Sequence, residues 1–272
     1  MSDLNEWLNL ILRWVHVIAG IMWIGQTYLF NWMERVLEKP ADPKAKPNIS
    51  GELWMVHGGG FYLVEKQKWP EIMPRTLHWF KWESFFTWLS GFFLLVVVYW
   101  MGAPLQEYGA ELGRPAAIAL SAGVLVFGVA GYNLLFNHTP LGKHEALGAA
   151  VSWVLIVALA YLMTRWFSDR AVYLHVGAMF GTIMVANVWM TIIPNQKKMM
   201  KLAESGGAPN QELARRSGRC SKHNTFMSVP LLFTMISNHF PATTFGTDHG
   251  LIVLAVLIPA GWAAAWFIRE KL

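Results

Sequence analysis

Long apolar stretches constrain this chain most, because about 20 apolar residues in a row can cross a lipid bilayer as a helix. Only 14% of the residues are charged, against about 25% in a typical soluble domain. We place spans at Leu8–Trp32, Leu77–Trp100, Pro115–Phe136, Leu147–Phe167, Val172–Ile193, Asn224–Phe240 and Leu251–Ile268. The sequence therefore predicts an all-α integral membrane protein, a single helical domain over residues 1–272 with about seven transmembrane helices.

The distribution of basic residues predicts the orientation of these helices, since cytoplasmic segments retain Lys and Arg. Most of the 22 Lys and Arg residues lie at about 34–76 and 194–222 or beside the last span. Arg114, Arg165 and Arg170 lie on the opposite side. We therefore predict a multi-pass protein with its N-terminus outside, its C-terminus in the cytoplasm, and cytoplasmic loops at about 34–76 and 194–222. This asymmetry accounts for the net charge of +5 without a nucleic-acid partner.

Histidines inside predicted spans indicate a function, because an ionisable side chain in hydrocarbon is costly. His16 lies in the first span, His175 in the fifth, and His239 at the outer end of the sixth. Two imidazoles from facing helices are suited to axial ligation of a b-type haem. We predict His16 and His175 as these ligands, with His239 in reserve; hydrogen bonds across helices are the alternative. The single cysteine, Cys220, excludes a CxxCH site for covalent c-type haem in this chain.

A second polar group lies at the predicted cytoplasmic ends of the spans. A site with histidines, a cation and a carboxylate could bind a planar anion and move its protons. The predicted catalytic residues are His78, Glu83, His138 and His223, and the predicted substrate-binding residues are His57, Gly59, Lys81, Asn137 and Asn224. The alternative is that Lys81 extends to lipid headgroups, Glu83 is paired structurally, and the glycines at 58–60 form a flexible turn.

Matching positions of four histidines suggest an internal repeat. His16 and His175 each begin a similar five-residue string, and His78 and His223 each stand at the predicted cytoplasmic start of a span. A parallel 4+4 repeat of spans would explain both pairings, and it would be incomplete here because the eighth span is missing.

Several strings resemble those of a known family. They are Trp14-Val15-His16-Val17-Ile18-Ala19-Gly20-Ile21-Met22-Trp23-Ile24-Gly25, His57-Gly58-Gly59-Gly60-Phe61-Tyr62, His78-Trp79-Phe80-Lys81-Trp82-Glu83, Asn133-Leu134-Leu135-Phe136-Asn137-His138, His175-Val176-Gly177-Ala178-Met179, Ser221-Lys222-His223-Asn224 and Ile236-Ser237-Asn238-His239-Phe240-Pro241. With these strings the chain resembles the membrane domain of the bacterial cytochrome c-linked urate oxidase family, also called urate hydroxylase.

The resemblance implies oxidation of urate to 5-hydroxyisourate in the bacterial inner membrane, with electrons passed to a cytochrome c. Family members usually continue past an eighth span into a cytochrome c domain. We therefore expect a separate cytochrome c, or a C-terminal cytochrome c domain missing from this chain, to accept the electrons. Haem b near His16 and His175 is our own inference from their depth in the spans.

Two other function classes stay open at this point. The chain could be a haem or copper transporter or chaperone without redox turnover, although its 14 Met residues are scattered rather than clustered as a copper path would favour. It could also be a non-enzymatic subunit that anchors a separate dehydrogenase in the lipid.

Overall fold

The computed structural model describes residues 2–69 and 76–271, and it is predominantly helical. Residues 70–75 of the predicted cytoplasmic loop at 34–76, among them the basic Arg75, lie outside the described residues. The helices are α1 (Ser2–Val36), α2 (Trp82–Leu94), α3 (Arg114–His138), α4 (Glu145–Met163), α5 (Asp169–Ala186), α6 (Ile193–Glu204), α7 (Gln211–Ile236) and α8 (Gly250–Lys271). π-Helical turns at Leu95–Trp100 and Asn187–Ile192 extend α2 and join α5 to α6, and 3₁₀ turns lie at Ala103–Leu105, Pro140–Lys143, Ser237–His239 and Pro241–Thr243.

Six of the described helical segments are long and apolar enough to cross a membrane. They are Asp3–Val36, Trp82–Trp100, Arg114–His138, Glu145–Met163, Asp169–Glu204 and Gly250–Lys271. The predicted sixth span, Asn224–Phe240, falls largely within α7, which is helical but is not one of the six. The reason is its composition, because basic residues fill its first half and Ser, Thr and Asn side chains recur in its second half.

Helices α5 and α7 form the centre of the bundle. Helix α5 packs against α3 and α7, and α7 packs against α8. At Gly177 a Cβ atom would lie 2.1 Å from Thr234 Oγ1, so the missing side chain lets α5 and α7 approach closely. The glycine at this position therefore serves helix packing.

The outward faces of the helices are strongly apolar. Trp14 and Ile21 of α1, Phe127 of α3 and Ile252 of α8 each expose more than half of their surface. Exposed apolar surface on this scale is unfavourable in water and favourable in hydrocarbon. The fold therefore presents the kind of surface that a lipid environment stabilises.

The protein is predominantly helical, as predicted, and one segment adds two strands that the sequence analysis did not predict. Residues Ile49–His57 (β1) and Gly60–Gln67 (β2) form an antiparallel hairpin. Gly58 and Gly59 connect the strands with φ angles of 58° and 81°, as a two-residue hairpin turn requires. Because residues other than Gly, Asn and Asp rarely adopt a positive φ angle, the two consecutive glycines make this turn possible.

The base of the hairpin is fixed to the end of α1. Glu38 and Glu52 exchange backbone hydrogen bonds of 2.8 and 2.9 Å. Lys46 Nζ lies 2.5 Å from carboxylate oxygens of both Glu52 and Glu65, which raises the pKa of Lys46 to about 12 and lowers the pKa of Glu52. Lys66 forms a further ion pair with Glu34. The predicted loop at 34–76 therefore contains a defined structural element.

The predicted loop at 194–222 is also mostly ordered into helix. Helix α6 covers its first part, and α7 begins at Gln211, thirteen residues before the predicted start of the span at Asn224. Asn210 caps α7, since its Oδ1 accepts the backbone N–H groups of Glu212 and Leu213 at 3.1 Å. Polar helix of this kind is missed when helices are assigned from apolar length alone.

The start of the second span also differs from the prediction. Helix α2 begins at Trp82 with Lys81 as its N-cap residue, so His78 and Lys81 do not share a helix face. Glu83 lies in the first turn of α2 rather than two turns inside the span. His223 lies well inside α7 while His78 precedes α2, so these two histidines are not equivalent as the repeat requires.

Candidate functional site

His16 lies at the contact between α1 and α2. Its Nδ1 is 2.9 Å from the carbonyl oxygen of Thr87 and 3.1 Å from Ser90 Oγ. A Cβ atom on Gly91 would lie 2.8 Å from His16 Cε1, so the glycine leaves the space that the imidazole fills. These contacts attach α1 to α2 through the imidazole.

Glu83 and Lys81 lie near one end of the same helix pair. Gln26 Nε2 donates to Glu83 Oε1 at 3.2 Å, whereas Glu83 Oε2 is buried without a hydrogen-bond partner among the described residues. Lys81 Nζ lies over the rings of Trp82 and Trp189 at 5.1 and 5.3 Å. Lys81 therefore has an aromatic environment, and one oxygen of Glu83 is left for a further donor.

His175 has a different environment, at the centre of the bundle. It is fully buried, its Nε2 lies 2.6 Å from Ser121 Oγ, and its Nδ1 lies 2.7 Å from the carbonyl oxygen of Ala171. Its ring stacks on Phe167 at 4.8 Å and meets Tyr99 edge-on at 6.0 Å. Both nitrogens are thus bonded to protein and the ring is enclosed.

These contacts do not fit a haem held between His16 and His175. An axial ligand needs one ring nitrogen directed at the iron and open space for the macrocycle. His175 offers neither, because both of its nitrogens are used and aromatic rings cover it. His16 directs Nδ1 at α2, and its hydrogen-bond partners, Thr87 and Ser90, differ from those of His175. Haem therefore stays a prediction from the sequence.

A polar cluster lies where α3 ends beside α7. We call it the α3–α7 cluster, and its members are Tyr132, Asn133, Asn137, Arg216, Arg219 and His223. Arg219 donates to Asn137 Oδ1 at 2.8 Å and to the carbonyl oxygen of Gly142 at 3.1 Å. Asn137 Nδ2 in turn donates to Asn133 Oδ1 at 2.5 Å. The Nε atoms of Arg216 and Arg219 are buried without a hydrogen-bond partner among the described residues.

His223 pairs with a tyrosine in this cluster. Its Nδ1 lies 2.9 Å from the hydroxyl of Tyr132, and its ring meets Phe136 edge-on at a centroid distance of 4.5 Å. A hydrogen-bonded phenol and imidazole can pass a proton between them. The pair is therefore the arrangement in the described structure with the clearest capacity for acid–base chemistry next to cationic side chains.

Asn224 is occupied in holding helices together. Its Oδ1 accepts from Asn187 Nδ2 at 2.9 Å, and its own Nδ2 donates to the carbonyl oxygen of Met184 at 3.0 Å. Asn31 of α1 adds a similar link, since its Nδ2 donates to Thr225 Oγ1 at 3.1 Å. The observed role of Asn224, which we predicted to bind substrate, is to join α7 to the α5–α6 segment.

An elongated cleft of 880 Å³ runs between α2, α3 and the α5–α6 segment and reaches the α3–α7 cluster. Its apolar part includes Phe85, Trp88, Phe92, Leu125, Val126 and Val129, and its polar end includes Tyr132, Asn133, Asn137, Asn187, Thr191 and Arg216. The cluster is therefore reachable by a molecule that enters between the helices.

The remaining predicted residues lie on the surface. His57 and Gly59 are at the exposed tip of the hairpin, and a Cβ on Gly59 would meet nothing within 4 Å. His78, His138 and His239 are also exposed. Of the predicted catalytic and binding residues, the structure therefore brings His223 and Asn137 into one cluster, with Lys81 and Glu83 on the α1–α2 side.

Sequence reasoning missed Tyr132, Arg216 and Arg219. The two arginines counted only as loop charges, because residues 194–222 were assigned to a loop. Arg216, Arg219 and His223 are spaced three and four residues apart, which places them on one face of a helix. Extending α7 from the cap signal at Asn210 would have found that face. Within residues 2–69 and 76–271, no group of three or more His, Cys, Asp or Glu side chains could hold a metal ion.

Comparison with known families gives one match. The family described as urate oxidase N-terminal matches residues 2–271, nearly the whole sequence. Searches of curated proteins and of solved structures found no match.

Proposed function

Since the chain belongs to the urate oxidase N-terminal family, we propose that it oxidises urate to 5-hydroxyisourate from within the bacterial inner membrane. The reaction adds the oxygen of one water molecule to urate and releases two electrons and two protons. A protein for this reaction must bind a planar anion, position a water molecule, accept protons and pass on electrons. The α3–α7 cluster supports the first three of these tasks.

The membrane location is supported by the six apolar helices and their exposed apolar faces. The distribution of Lys and Arg supports an external N-terminus and a cytoplasmic C-terminus. With that orientation, the end of α3 and the first half of α7 lie on the cytoplasmic side. Cytoplasmic urate would then reach the cluster without crossing the lipid, attracted by the basic residues there.

Urate binding in the α3–α7 cluster is supported by unsatisfied donors. Urate is a planar anion whose edges carry carbonyl oxygens and ring nitrogens, and a guanidinium fork matches such edges with paired hydrogen bonds. Arg219 holds a buried Nε without a partner among the described residues, and Arg216, three residues earlier on the same helix face, adds a second positive charge. Asn137, already bonded to Arg219, fixes the position of that guanidinium. These paired cations next to a proton acceptor are the observation that carries the proposal.

His223 is the proposed base. Its hydrogen bond to Tyr132 orients the ring, and the phenol offers a second proton site. The imidazole would accept the proton from urate or from the attacking water as the purine loses electrons, and Tyr132 would pass it onward. Glu83, with one oxygen unpaired among the described residues, is the proposed second proton acceptor on the α1–α2 side.

A cytochrome c, separate or carried on a C-terminal domain, is the proposed electron acceptor. Haem b in this chain stays a prediction from the sequence. The contacts of His175 argue for ligands other than the His16–His175 pair.

The direct test is turnover by detergent-purified protein, with urate loss followed in the presence of cytochrome c and, separately, of an artificial dye acceptor. We expect the wild-type protein to consume urate with at least one of them. His223→Gln should lower kcat about 100-fold, as loss of a general base typically does. Arg219→Lys should raise KM about tenfold, because a lysine cannot form the paired contact.

Arg215 provides the matched control. It lies on the exposed side of α7 and pairs with Glu212, so Arg215→Lys should leave kcat and KM unchanged. Wild-type protein that leaves urate intact with both acceptors would overturn the proposal. Full turnover by His223→Gln would overturn the assignment of the base.

A further inference from the structure

The cleft between α2, α3 and the α5–α6 segment is far larger than the polar cluster at its end. Its 880 Å³ would hold a molecule much longer than a purine, and most of its exposed lining is apolar. The urate proposal relies on Arg219 and His223, which lie outside the lining, and leaves the cleft itself without a role.

Aromatic side chains shape the apolar length of the cleft. Trp88 and Phe92 lie stacked with ring centroids 5.6 Å apart. The indole of Trp88 is held in place because its Nε1 donates to Thr182 Oγ1 at 3.2 Å. Trp189 is held similarly by a 3.3 Å bond to Ser84 Oγ. The wall is thus a fixed aromatic surface on which a flat ring or an unsaturated chain can lie.

The cleft opens sideways between helices rather than at the end of the bundle. Val126 and Met190 line it and are 66% and 72% exposed, so its rim is apolar and faces outward. In a bilayer that rim would meet acyl chains. The ligand class that fits such an entrance is one already dissolved in the lipid.

The polar end would receive a head group that accepts hydrogen bonds. Arg216 lines this end and has a buried Nε without a partner among the described residues. The amide of Asn133 lies beside it in the lining. Tyr132 also lines the cleft, and its hydroxyl contacts His223, which is not part of the lining. Tyr132 therefore links the cleft to His223.

We propose that this cleft binds a membrane quinone, with its ring carbonyls at Arg216 and Asn133 and its isoprenoid tail along Trp88 and Phe92. The inference rests on the proposed urate oxidation and adds a lipid-soluble acceptor to it. Urate and water would give 5-hydroxyisourate, two electrons and two protons. The quinone would take both electrons and both protons at its two carbonyl oxygens and leave as the quinol. Tyr132 and His223 lie where the protons must pass.

Binding is tested without urate, so that its result is independent of turnover. Detergent-purified, quinone-depleted protein is equilibrated with a benzoquinone that carries a short isoprenoid tail and with a tailless benzoquinone. We expect the tailed compound to bind at least tenfold more tightly. Val129→Trp should abolish that advantage by filling the apolar length, and Arg216→Gln should weaken both compounds about tenfold.

Two control variants match these changes. Leu134→Trp places the same side chain on a 60% exposed position of α3 outside the lining, and Arg215→Gln changes the neighbouring arginine on the exposed side of α7. Both controls should bind the tailed quinone as the wild type does. Gel filtration and helical circular dichroism show whether Val129→Trp has folded. If Val129→Trp does not fold, Arg216→Gln still tests the head-group end of the cleft.

Several outcomes would overturn the inference. One is equal binding of the tailed quinone to Val129→Trp and the wild type. Another is a co-purified phospholipid that Val129→Trp loses and that quinone fails to displace. A third is the absence of quinone binding in protein that oxidises urate with cytochrome c, which would leave the proposed function intact. Quinone bound in the cleft of protein that leaves urate untouched would instead support the site and reject urate oxidation.

Discussion

Helices α1 and α5 each carry a histidine within a long apolar stretch, yet their positions in the bundle differ sharply. Only 11% of the most apolar stretch of α1 is buried, compared with 61% for the segment formed by α5 and α6. His16 on α1 reaches across to α2 with one nitrogen bonded, whereas His175 on α5 is enclosed with both nitrogens bonded. Although the two histidines have similar neighbours in the sequence, His16 makes a peripheral contact between helices and His175 is a central structural residue.

The largest effect on stability should come from removing the central histidine. His175→Ala would leave a cavity against Phe167 and break a hydrogen-bonded set that also includes Ser121 and Trp100, whose Nε1 donates to Ser121 Oγ at 2.8 Å. We expect a loss of about 3 kcal/mol in the free energy of unfolding. Unfolding in increasing SDS measures it, with the exposed His239→Ala as the control that should change nothing.

A smaller loss is expected from Gly91→Ala on α2. The added methyl group would lie 2.8 Å from His16 Cε1 and would push α1 away from its packing contact with α2. Overpacking of this kind costs about 1–3 kcal/mol. The double variant with His16→Ala should recover most of the loss, because the obstructing ring is then gone. Losses that simply add would show that Gly91 and His16 do not contact each other in the membrane.

The peripheral histidine should matter less to stability by itself. His16→Ala removes hydrogen bonds to α2, and such bonds between membrane helices average about 0.6 kcal/mol. The same protein tests the haem prediction through the dithionite-reduced absorption spectrum. A b-type α-band that is present in the wild type and absent from His16→Ala would identify His16 as a ligand. A band lost from folded His175→Ala would contradict the enclosed role of that residue.

The smallest effect is expected outside the helices, at the base of the hairpin. The ion pairs with Lys46 lower the pKa of Glu52, so their contribution is present above the ordinary carboxyl pKa and is lost as the pH falls through the lowered value. The raised pKa of Lys46, about 12, means that the contribution is also lost as the pH rises toward 12. Protection of residues 49–67 against hydrogen exchange, relative to the intrinsic exchange rate at each pH, should therefore fall at both extremes. A Lys46→Met variant should show a weaker pH dependence, and an unchanged profile would show that these pairs do not hold the hairpin.

Features that depend on local pattern were predictable from the sequence. Apolar length predicts seven spans, and six of them correspond to described helices that are long and apolar enough to cross a membrane, because hydrocarbon demands about 20 apolar residues whatever the neighbouring helices are. The consecutive glycines predict a turn but not the hairpin around it, because the turn by itself does not specify that the flanking residues pair as strands. The first half of α7 was missed because its helix is polar and depends on the cap at Asn210.

What the tertiary structure alone decided is which polar side chains meet. The sequence predicts His16 and His175 as a pair of haem ligands and His223 as a catalytic residue, but depth in a span says nothing about the atoms opposite a side chain. Packing of α5 against α3 brought Ser121 to His175 and used its last free nitrogen, while packing of α7 against α3 brought Tyr132 to His223 beside two arginines. A side chain's chemistry depends on its hydrogen-bond partners, and partners distant in sequence are chosen only when helices pack.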